Sequence, residues 1–367
     1  MIQYSTTPKS LHRSALALST KTFKDNMEQQ FLLLLGEKNL HHMFCAHEND
    51  QVVSLVNYYP TTIICPDFQI KVASIGSVCT NPDYRHKGLA GRLLSMAIDS
   101  MLNESTRVVI ISGEGGIYAK AGSNEVGNVR AFKLSRKSVE KSSSYDYRLF
   151  TWDDFDSVQA IYAKEPIRFH RGVDEFSQLI KAQTYPDSYA DYPFVLICEN
   201  NKPVAYLIFQ RNFGKHNLLV KEFAGNRQAI LSFSSSLLEN MKKSSMTFLT
   251  DPTDEIFSIL PKTVRTENTT LHASLKVLNM DGLWNDLSSY VKSRLSTQEQ
   301  SSIRFVKDSS GVVLDVNGIS QHLSDFELNA LVFGDAKKIL TLNPEIAKVT
   351  SKIFPIPFSW VNNLNYQ

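Results

Sequence analysis

The stretch Ser77-Val78-Cys79-Thr80-Asn81-Pro82-Asp83-Tyr84-Arg85-His86-Lys87-Gly88-Leu89-Ala90-Gly91-Arg92-Leu93-Leu94 constrains the fold of this chain more than any other. It opens as a β-rich apolar run and turns at Asn81-Pro82-Asp83. It then becomes basic and glycine-bearing at Arg85-His86-Lys87-Gly88 and continues with helical periodicity. Leu89, Leu93 and Met96/Ala97 fall at helical spacing, with Ala90, Leu94 and Met101 beside them. A strand, a basic glycine turn and a helix start can hold a phosphate, because the first helical N–H groups are unpaired and carry partial positive charge. Gly88 and Gly91 let a ligand approach the backbone closely. On pattern alone, a plain strand–loop–helix joint with solvated charges reads these residues equally well.

The chain before the turn sets its context. Residues 9–35 read as two helices, 10–23 amphipathic and a second one capped by Asp25 that carries Phe31-Leu32-Leu33-Leu34-Leu35 before Gly36. Strands follow at 44–46, 52–56, 61–65 and 69–79, with turns at Glu48-Asn49-Asp50 and Pro66-Asp67. After the turn and its helix, 107–111 is a buried strand leading into Ser112-Gly113-Glu114-Gly115-Gly116-Ile117-Tyr118-Ala119-Lys120-Ala121-Gly122. This order is α+β.

Ser142–Ser144 reads as a polar linker, and beyond it the order partly repeats. Helical patterns at 152–163 and 174–183 precede strands from Phe194, and Glu199-Asn200-Asn201-Lys202-Pro203-Val204 parallels Glu48-Asn49-Asp50-Gln51-Val52-Val53. In the second copy only Ala224-Gly225-Asn226 separates the strand 218–223 from the helix 227–241. The basic turn is missing, so the first copy is expected to bind the ligand and the second to be structural. A third unit starts near Leu271, with a strand at 271–280, a helix at 283–295 and a hairpin around Ser309-Ser310-Gly311. A capping box follows at Ser324-Asp325-Phe326-Glu327, with Leu328, Leu331 and Val332 as core. The apolar, aromatic terminus 353–367 reads as docked. The expected domains are 1–140, 145–268 and 269–367.

Length and composition limit the function classes. A chain of 367 residues suggests two or three domains, and 43% hydrophobic with 21% charged residues is ordinary for a soluble globular protein. A net charge of +2 gives no basic excess for nucleic acid or an anionic membrane. Cys45, Cys65, Cys79 and Cys198 have no metal or redox spacing and read as reduced, buried thiols; no apolar run is long enough to span a membrane. A cytoplasmic protein is expected. His41-His42 lacks a partner cluster at ligand spacing, so no metal is expected.

Arg85-His86-Lys87-Gly88-Leu89-Ala90 resembles the (Arg/Gln)-x-x-Gly-x-(Gly/Ala) turn of the GCN5-related N-acetyltransferases (GNAT), as does Thr80-Asn81-Pro82-Asp83-Tyr84 before it. The whole chain resembles a narrower group, the enhanced-intracellular-survival (Eis) type. The likeness is carried by Glu114-Gly115-Gly116-Ile117-Tyr118, Leu323-Ser324-Asp325-Phe326-Glu327-Leu328, Leu331-Val332-Phe333-Gly334 and the Phe354-Pro355 terminus. That resemblance implies two tandem GNAT-type folds, the second degenerate, and a C-terminal sterol-carrier-protein-like α/β domain. It also implies hexamers, which no surface stripe in this sequence signals.

The resemblance further implies acetyl-CoA as cofactor. Its pantetheine arm would pair with the backbone of Val78, Cys79 and Thr80. Its pyrophosphate would rest on the amides of His86, Lys87, Gly88, Leu89, Ala90 and Gly91, with Arg85 opening the turn. Tyr118 and Ala119 fall at the thioester end, and a backbone N–H near Val78 or Cys79 would stabilise an oxyanion. Cys79 reads as a backbone contributor and not a nucleophile, since transfer in the resembled family is direct; Glu114 reads either as a base or, more simply, as a structural hydrogen-bond acceptor at a strand end. The resemblance also implies the terminal carboxylate as catalytic base, here that of Gln367. The acid position falls on Ser123, a departure from the group's tyrosine, and Ala121 replaces an adjacent aromatic. A serine hydroxyl is no acid near neutral pH; it positions a water, or the thiolate leaves unassisted, thiols having a pKa of about 8.5. The expected activity is acetyl transfer to a primary amine of a small molecule or a lysine side chain. The competing expectation, from Ala121 and Ser123, is a non-catalytic acyl-CoA-binding or scaffolding protein.

Overall fold

The computed structural model describes residues 1–23, 26–113, 116–138, 144–183, 192–211, 213–308 and 310–366. It has two compact units, one of Met1–Gly127, Thr270–Ile356 and Tyr366–Gln367, the other of Asn128–Thr269 and Pro357–Asn365. Among the described residues no helix is long and apolar enough to cross a membrane.

The first unit opens with strands β1 (Gln3–Thr6), β2 (Met43–Glu48), β3 (Gln51–Cys65), β4 (Phe68–Thr80), β5 (Val108–Ile111) and β6 (Asn124–Glu125). β1 to β4 pair antiparallel in sequence order, whereas β5 lies parallel to β4. A parallel neighbour requires a crossover, and the helix Leu89–Asn103 provides it. Its buried stripe, Leu89, Leu93, Leu94, Ala97 and Met101, packs on Val53, Val56, Tyr58, Ala73, Ile75, Val109 and Ile111. The opposite face of the sheet, with Val52, Leu55 and Cys79, is covered by Leu11, Ala15 and Leu18, with Leu34 and Leu35 beside them.

Two local expectations change. The runs 52–56 and 61–65 are one strand, because Pro60 lies beyond the last β2 pair, Met43↔Asn57, and forfeits no β2 hydrogen bond. The second N-terminal helix is broken into Met27–Gln30 and Leu32–Leu35 at Phe31, whose φ of −127° is not helical; its expected cap, Asp25, lies outside the described residues. The linker residues Ser142 and Ser143 and the hairpin residue Ser309 also lie outside them.

The second unit contains β7 (Val129–Ser135), β8 (Asp146–Leu149), β9 (Arg168–Phe169), β10 (Phe194–Glu199), β11 (Lys202–Gln210), β12 (Asn217–Gly225), β13 (Ser245–Thr250) and β14 (Thr266–Thr269). Its main sheet runs β14-β7-β13-β12-β11-β10-β8. β12 and β13 are parallel, joined by the helix Arg227–Asn240 that Asn226 caps by accepting from the Ala229 N–H. This repeats the β4–helix–β5 crossover. The core centres on Phe132, Phe209, Phe248 and Ile230.

Thr270–Ile356 returns to the first unit. β15 (Ser274–Val277) lies between β5 and β6, antiparallel to both, so the expected strand at 271–280 is shorter. The expected helix at 283–295 is two pieces, Met280–Asp286 and Ser288–Lys292. β16 (Ile303–Lys307), β17 (Val312–Val316) and β18 (Ile319–Leu323) make a separate antiparallel sheet. The helix Asp325–Phe333 starts with the expected capping box, the Ser324 N–H donating to Glu327 at 2.9 Å, and buries Leu328, Leu331 and Val332.

In the second unit the guanidinium of Arg171, 0% exposed, donates twice to Glu222 (2.8 and 2.7 Å) and once to Asn365 (2.7 Å). Tyr206 donates to the same carboxylate at 2.8 Å. Arg171→Met would leave Glu222 charged, buried and uncompensated, at a cost of about 3–5 kcal/mol. Calorimetry should show a transition lowered by many degrees; an unchanged transition would contradict the role given to this pair.

Candidate active site

The site begins where β4 leaves β5. Their parallel pairing ends at Ile75↔Ile111, but β4 continues to Thr80, paired with β3 alone. The cause is a bulge. Leu55 faces Cys79 and Asn57 faces Gly76, so Ser77 and Val78 together oppose one residue of β3, and Ser77 adopts φ 50°. Asn57, fully buried, fixes the bulge by donating to the carbonyls of Ser77 (3.2 Å) and Gly76 (3.5 Å). The Ser19 and Ser77 hydroxyls are 2.6 Å apart. Val78, Cys79 and Thr80 therefore sit on an edge without a β5 neighbour, which an extended chain can join as an added strand.

The glycine turn closes the same end of the wedge. Asn81 accepts from the Asp83 N–H (3.3 Å), Pro82–Tyr84 make a single tight turn, and His86 (φ 61°) and Gly88 (φ 74°) are left-handed. The helix starts at Leu89, and its first internal bond runs from the Arg92 N–H to Gly88. The amides of Leu89, Ala90 and Gly91 are consequently among the free donors of a helix start. Positions Gly88 and Gly91 face open space, where a side chain would meet no atom within 4 Å. Arg85, His86 and Lys87 are exposed; Arg85 donates to the Thr80 carbonyl (3.4 Å) and Lys87 to that of Asp83 (3.0 Å). A cradle of free amides, bare glycines and cations fits an anionic pyrophosphate.

Beyond β5, Glu114 and Gly115 lie outside the described residues, and Gly116–Lys120 form a short helix. Tyr118 is buried against Leu89, Val109 and Ile111, and burial pushes its phenol up to about 12, with Cys79 adding to the shift. Ala119 is exposed. The Ser123 N–H donates to the Tyr118 carbonyl at 3.1 Å. The Ser123 hydroxyl is buried and has no hydrogen-bond partner among the described residues. The helix Asp325–Phe333 pins this loop: Asn329 donates to the Gly122 carbonyl (3.0 Å) and to Asn124 (2.8 Å), and accepts from the Val277 N–H (2.9 Å). Gly122 (φ 85°) is held against the Lys276–Asp325 ion pair so closely that a Cβ would overlap the carboxylate.

The structure thus places Val78–Thr80 directly before the turn Arg85–Gly91, tied to it by the Arg85 bond to the Thr80 carbonyl (3.4 Å). Gln367 lies outside the described residues; Tyr366 before it has its ring 6.5 Å from that of Phe31. His42 is bonded to Asn39 (2.8 Å) and Glu104 (3.0 Å). Sequence reasoning missed Asn57, Ser19 and Asn329. An Asn inside the apolar run Leu55-Val56-Asn57-Tyr58 was a readable signal for the first, whereas Ser19 and Asn329 act through contacts no local pattern announces.

Residues 3–125 match the family model of the acetyltransferase (GNAT) domain. The chain carries a GNAT acetyltransferase domain. Over the whole chain the fold is similar to Eis1 from Mycobacterium abscessus (TM-score 0.68, 12% identity, 98% of this chain and 99% of that one). A GCN5-related N-acetyltransferase from Anabaena variabilis gives a TM-score of 0.65 at 13% identity, covering 98% and 99%. A probable N-acyltransferase of unknown function from Enterococcus faecalis gives 0.66 at 11% identity, covering 96% of each chain. At such identities the likeness is one of fold. No curated protein sequence matches. GNAT domains use an acyl-CoA donor.

Burial holds the Cys79 thiol up to about 12, so at neutral pH it is protonated and inert. About one thiol in ten thousand is then ionised at about pH 8, against roughly a quarter for an ordinary thiol of pKa about 8.5. Iodoacetamide at that pH should leave Cys79 intact in the folded protein, as read by peptide mass spectrometry. Rapid alkylation would contradict this environment.

Proposed function

We propose that this protein is a cytoplasmic, acetyl-CoA-dependent N-acetyltransferase that moves the acetyl group directly to a primary amine of a small molecule or a lysine side chain. The observation that carries the reading is the meeting of a bulged, unpartnered strand edge with a glycine turn at a helix start. The first suits the amide-bearing pantetheine arm, through Val78, Cys79 and Thr80. The second suits the pyrophosphate, through the amides of His86 to Gly91 and the charge of Arg85 and Lys87. Four free, buried cysteines support the cytoplasmic placement.

Acetyl-CoA supplies an activated thioester; the chain supplies position, charge and proton transfer. A backbone N–H at Val78 or Cys79 stabilises the negative charge that develops on the acyl oxygen, and the bulge fixes that donor beforehand. Tyr118, kept neutral by burial, lines the thioester end beside Ala119. An amine nucleophile must lose a proton, and the terminal carboxylate of Gln367 is assigned that role. Ser123 is assigned no acid role: an alcohol cannot protonate the leaving group near neutral pH, and a thiolate of pKa about 8.5 leaves without help.

The terminal assignment has a direct test that spares the interior. Appending two residues to Gln367 moves the carboxylate by up to about 7 Å. kcat should fall by about 10²–10⁴, the usual contribution of a general base. CoA affinity, measured by calorimetry, should stay within about threefold, since the donor cradle is untouched. An unaltered kcat would refute the terminal base. Failure of polyamines, aminoglycosides and lysine peptides to release thiol above background hydrolysis would favour a binding protein over an enzyme.

A further inference from the structure

The second unit repeats the wedge of the first. β12 and β13 pair in parallel from Asn217↔Ser245 to Leu219↔Thr247 and then part. A bulge follows at once on β12, where Ile208 faces Glu222 and Phe209 faces Val220, leaving Lys221 as the extra residue. Ser77 and Val78 hold the same place on β4, just past the last parallel pair. In the second wedge lies a cavity of about 880 Å³, within the roughly 300–1,000 Å³ of small-molecule sites. Its walls include Phe223 on β12, Leu249 on β13, Asp251 just beyond β13, and Trp360 from the segment Pro357–Asn365. All of them belong to the second unit. Lys164 and Glu255 also line it and are exposed, so the cavity opens to solvent.

The polar side chains around this space are largely spent on one another. Arg227 clamps Glu165 and Asp254 (2.5 and 2.8 Å), and Glu222 accepts from Arg171 twice, from Tyr206 and from the Leu364 N–H. Lys221 donates to the Asn362 side chain, Arg168 to the Glu165 carbonyl (2.8 Å) and the Asn363 amide to the Trp360 carbonyl (2.6 Å). Asp251 is the exception. It is only 7% exposed, and no cation of the described residues lies within ion-pair reach of its carboxylate. One of its oxygens accepts from the Thr253 N–H and hydroxyl (2.8 and 2.6 Å). The other accepts only from the Phe358 N–H, at 3.4 Å, longer than a good N–H···O bond of about 2.7–3.2 Å. A buried carboxylate with no counter-charge is costly, and a cation bound against it removes that cost.

We propose that this cavity binds a small organic ammonium, its cation on the open oxygen of Asp251 and its apolar body against Phe223, Leu249 and Trp360. An ammonium brings both the donors and the charge that Asp251 lacks. A neutral ligand of the same shape leaves the carboxylate uncompensated, and an anionic one is repelled by it. Apolar walls with one placed polar group are the usual make-up of a small-molecule site. The site requires neither the glycine turn nor the terminal carboxylate, so it goes beyond the catalytic reading and does not rest on it.

The test titrates the full chain near neutral pH with 2-phenylethylamine, 2-phenylethanol and 3-phenylpropanoate, three close analogues with a cationic, a neutral and an anionic end. Calorimetry should show the amine binding at least about tenfold more tightly than either of the others, as a hydrogen bond to a charged group provides. Amide exchange should place the protection it confers at Leu249 to Thr253 and at Trp360. Asp251→Asn keeps an acceptor for Thr253 and removes the charge, so it should abolish the preference. Should that variant fail to fold, as read by circular dichroism, the wild-type series and its exchange footprint decide alone. A footprint at the second wedge without acetylation of the amine supports this site even where the catalytic reading fails. No binding of the amine, equal binding of all three, or a preference that survives in folded Asp251→Asn overturns the proposal. So does protection confined to Val78 to Gly91, which is the footprint of an acceptor in the first unit.

Discussion

The bulge at Ser77 and Val78 is the constraint on which the first unit's open strand edge depends. A regular β4 would stay in register with β5 to its end and leave no free edge. The extra residue bends the strand away after Ile75, and the cost of interrupting the ladder is offset inside the protein, by Asn57 reaching the Gly76 and Ser77 carbonyls. The edge of Val78 to Thr80 is left without a β5 neighbour, and the helix starts at Leu89 after the turn. Tyr118, buried beside Leu89, Val109 and Ile111, keeps its phenol protonated near neutral pH.

The second unit shows how much of this is backbone and how much is side chain. It keeps the parallel pair, the crossover helix and the bulge, but the strand passes into the helix through Gly225 and Asn226 with no basic turn. Its helix start is capped by its own asparagine, and Arg227 is occupied by Glu165 and Asp254. The wedge persists while the basic glycine turn does not. Around it, the Arg171–Glu222 pair grips Asn365 and the Leu364 N–H, so the second unit invests its buried charges in holding the Pro357–Asn365 segment.

What the sequence makes legible divides along the same line. The turn, the helix after it and the buried stripe Leu89, Leu93, Ala97 are local patterns with fixed periods, and they sit where periodicity puts them. The capping box at Ser324 is equally local, and so is the absence of a second basic turn. Bulges are not local, since whether Lys221 or Ser77 is the extra residue depends on the partner strand. The same is true of β15, which reaches its place between β5 and β6 from a segment more than a hundred residues away in sequence. The breaks at Phe31 and Leu287 fall inside stretches that read equally well as one helix, because packing and not propensity decides them.

The proposed function puts a single acyl-CoA cradle in each chain, made by the bulged edge and the glycine turn of the first unit. Amide hydrogen exchange with and without CoA tests it residue by residue. Protection on adding CoA should be confined to the amides of Val78 to Thr80 and His86 to Arg92, with none at Lys221 to Gln228. Protection at the second wedge, or none at the glycine turn, would contradict it.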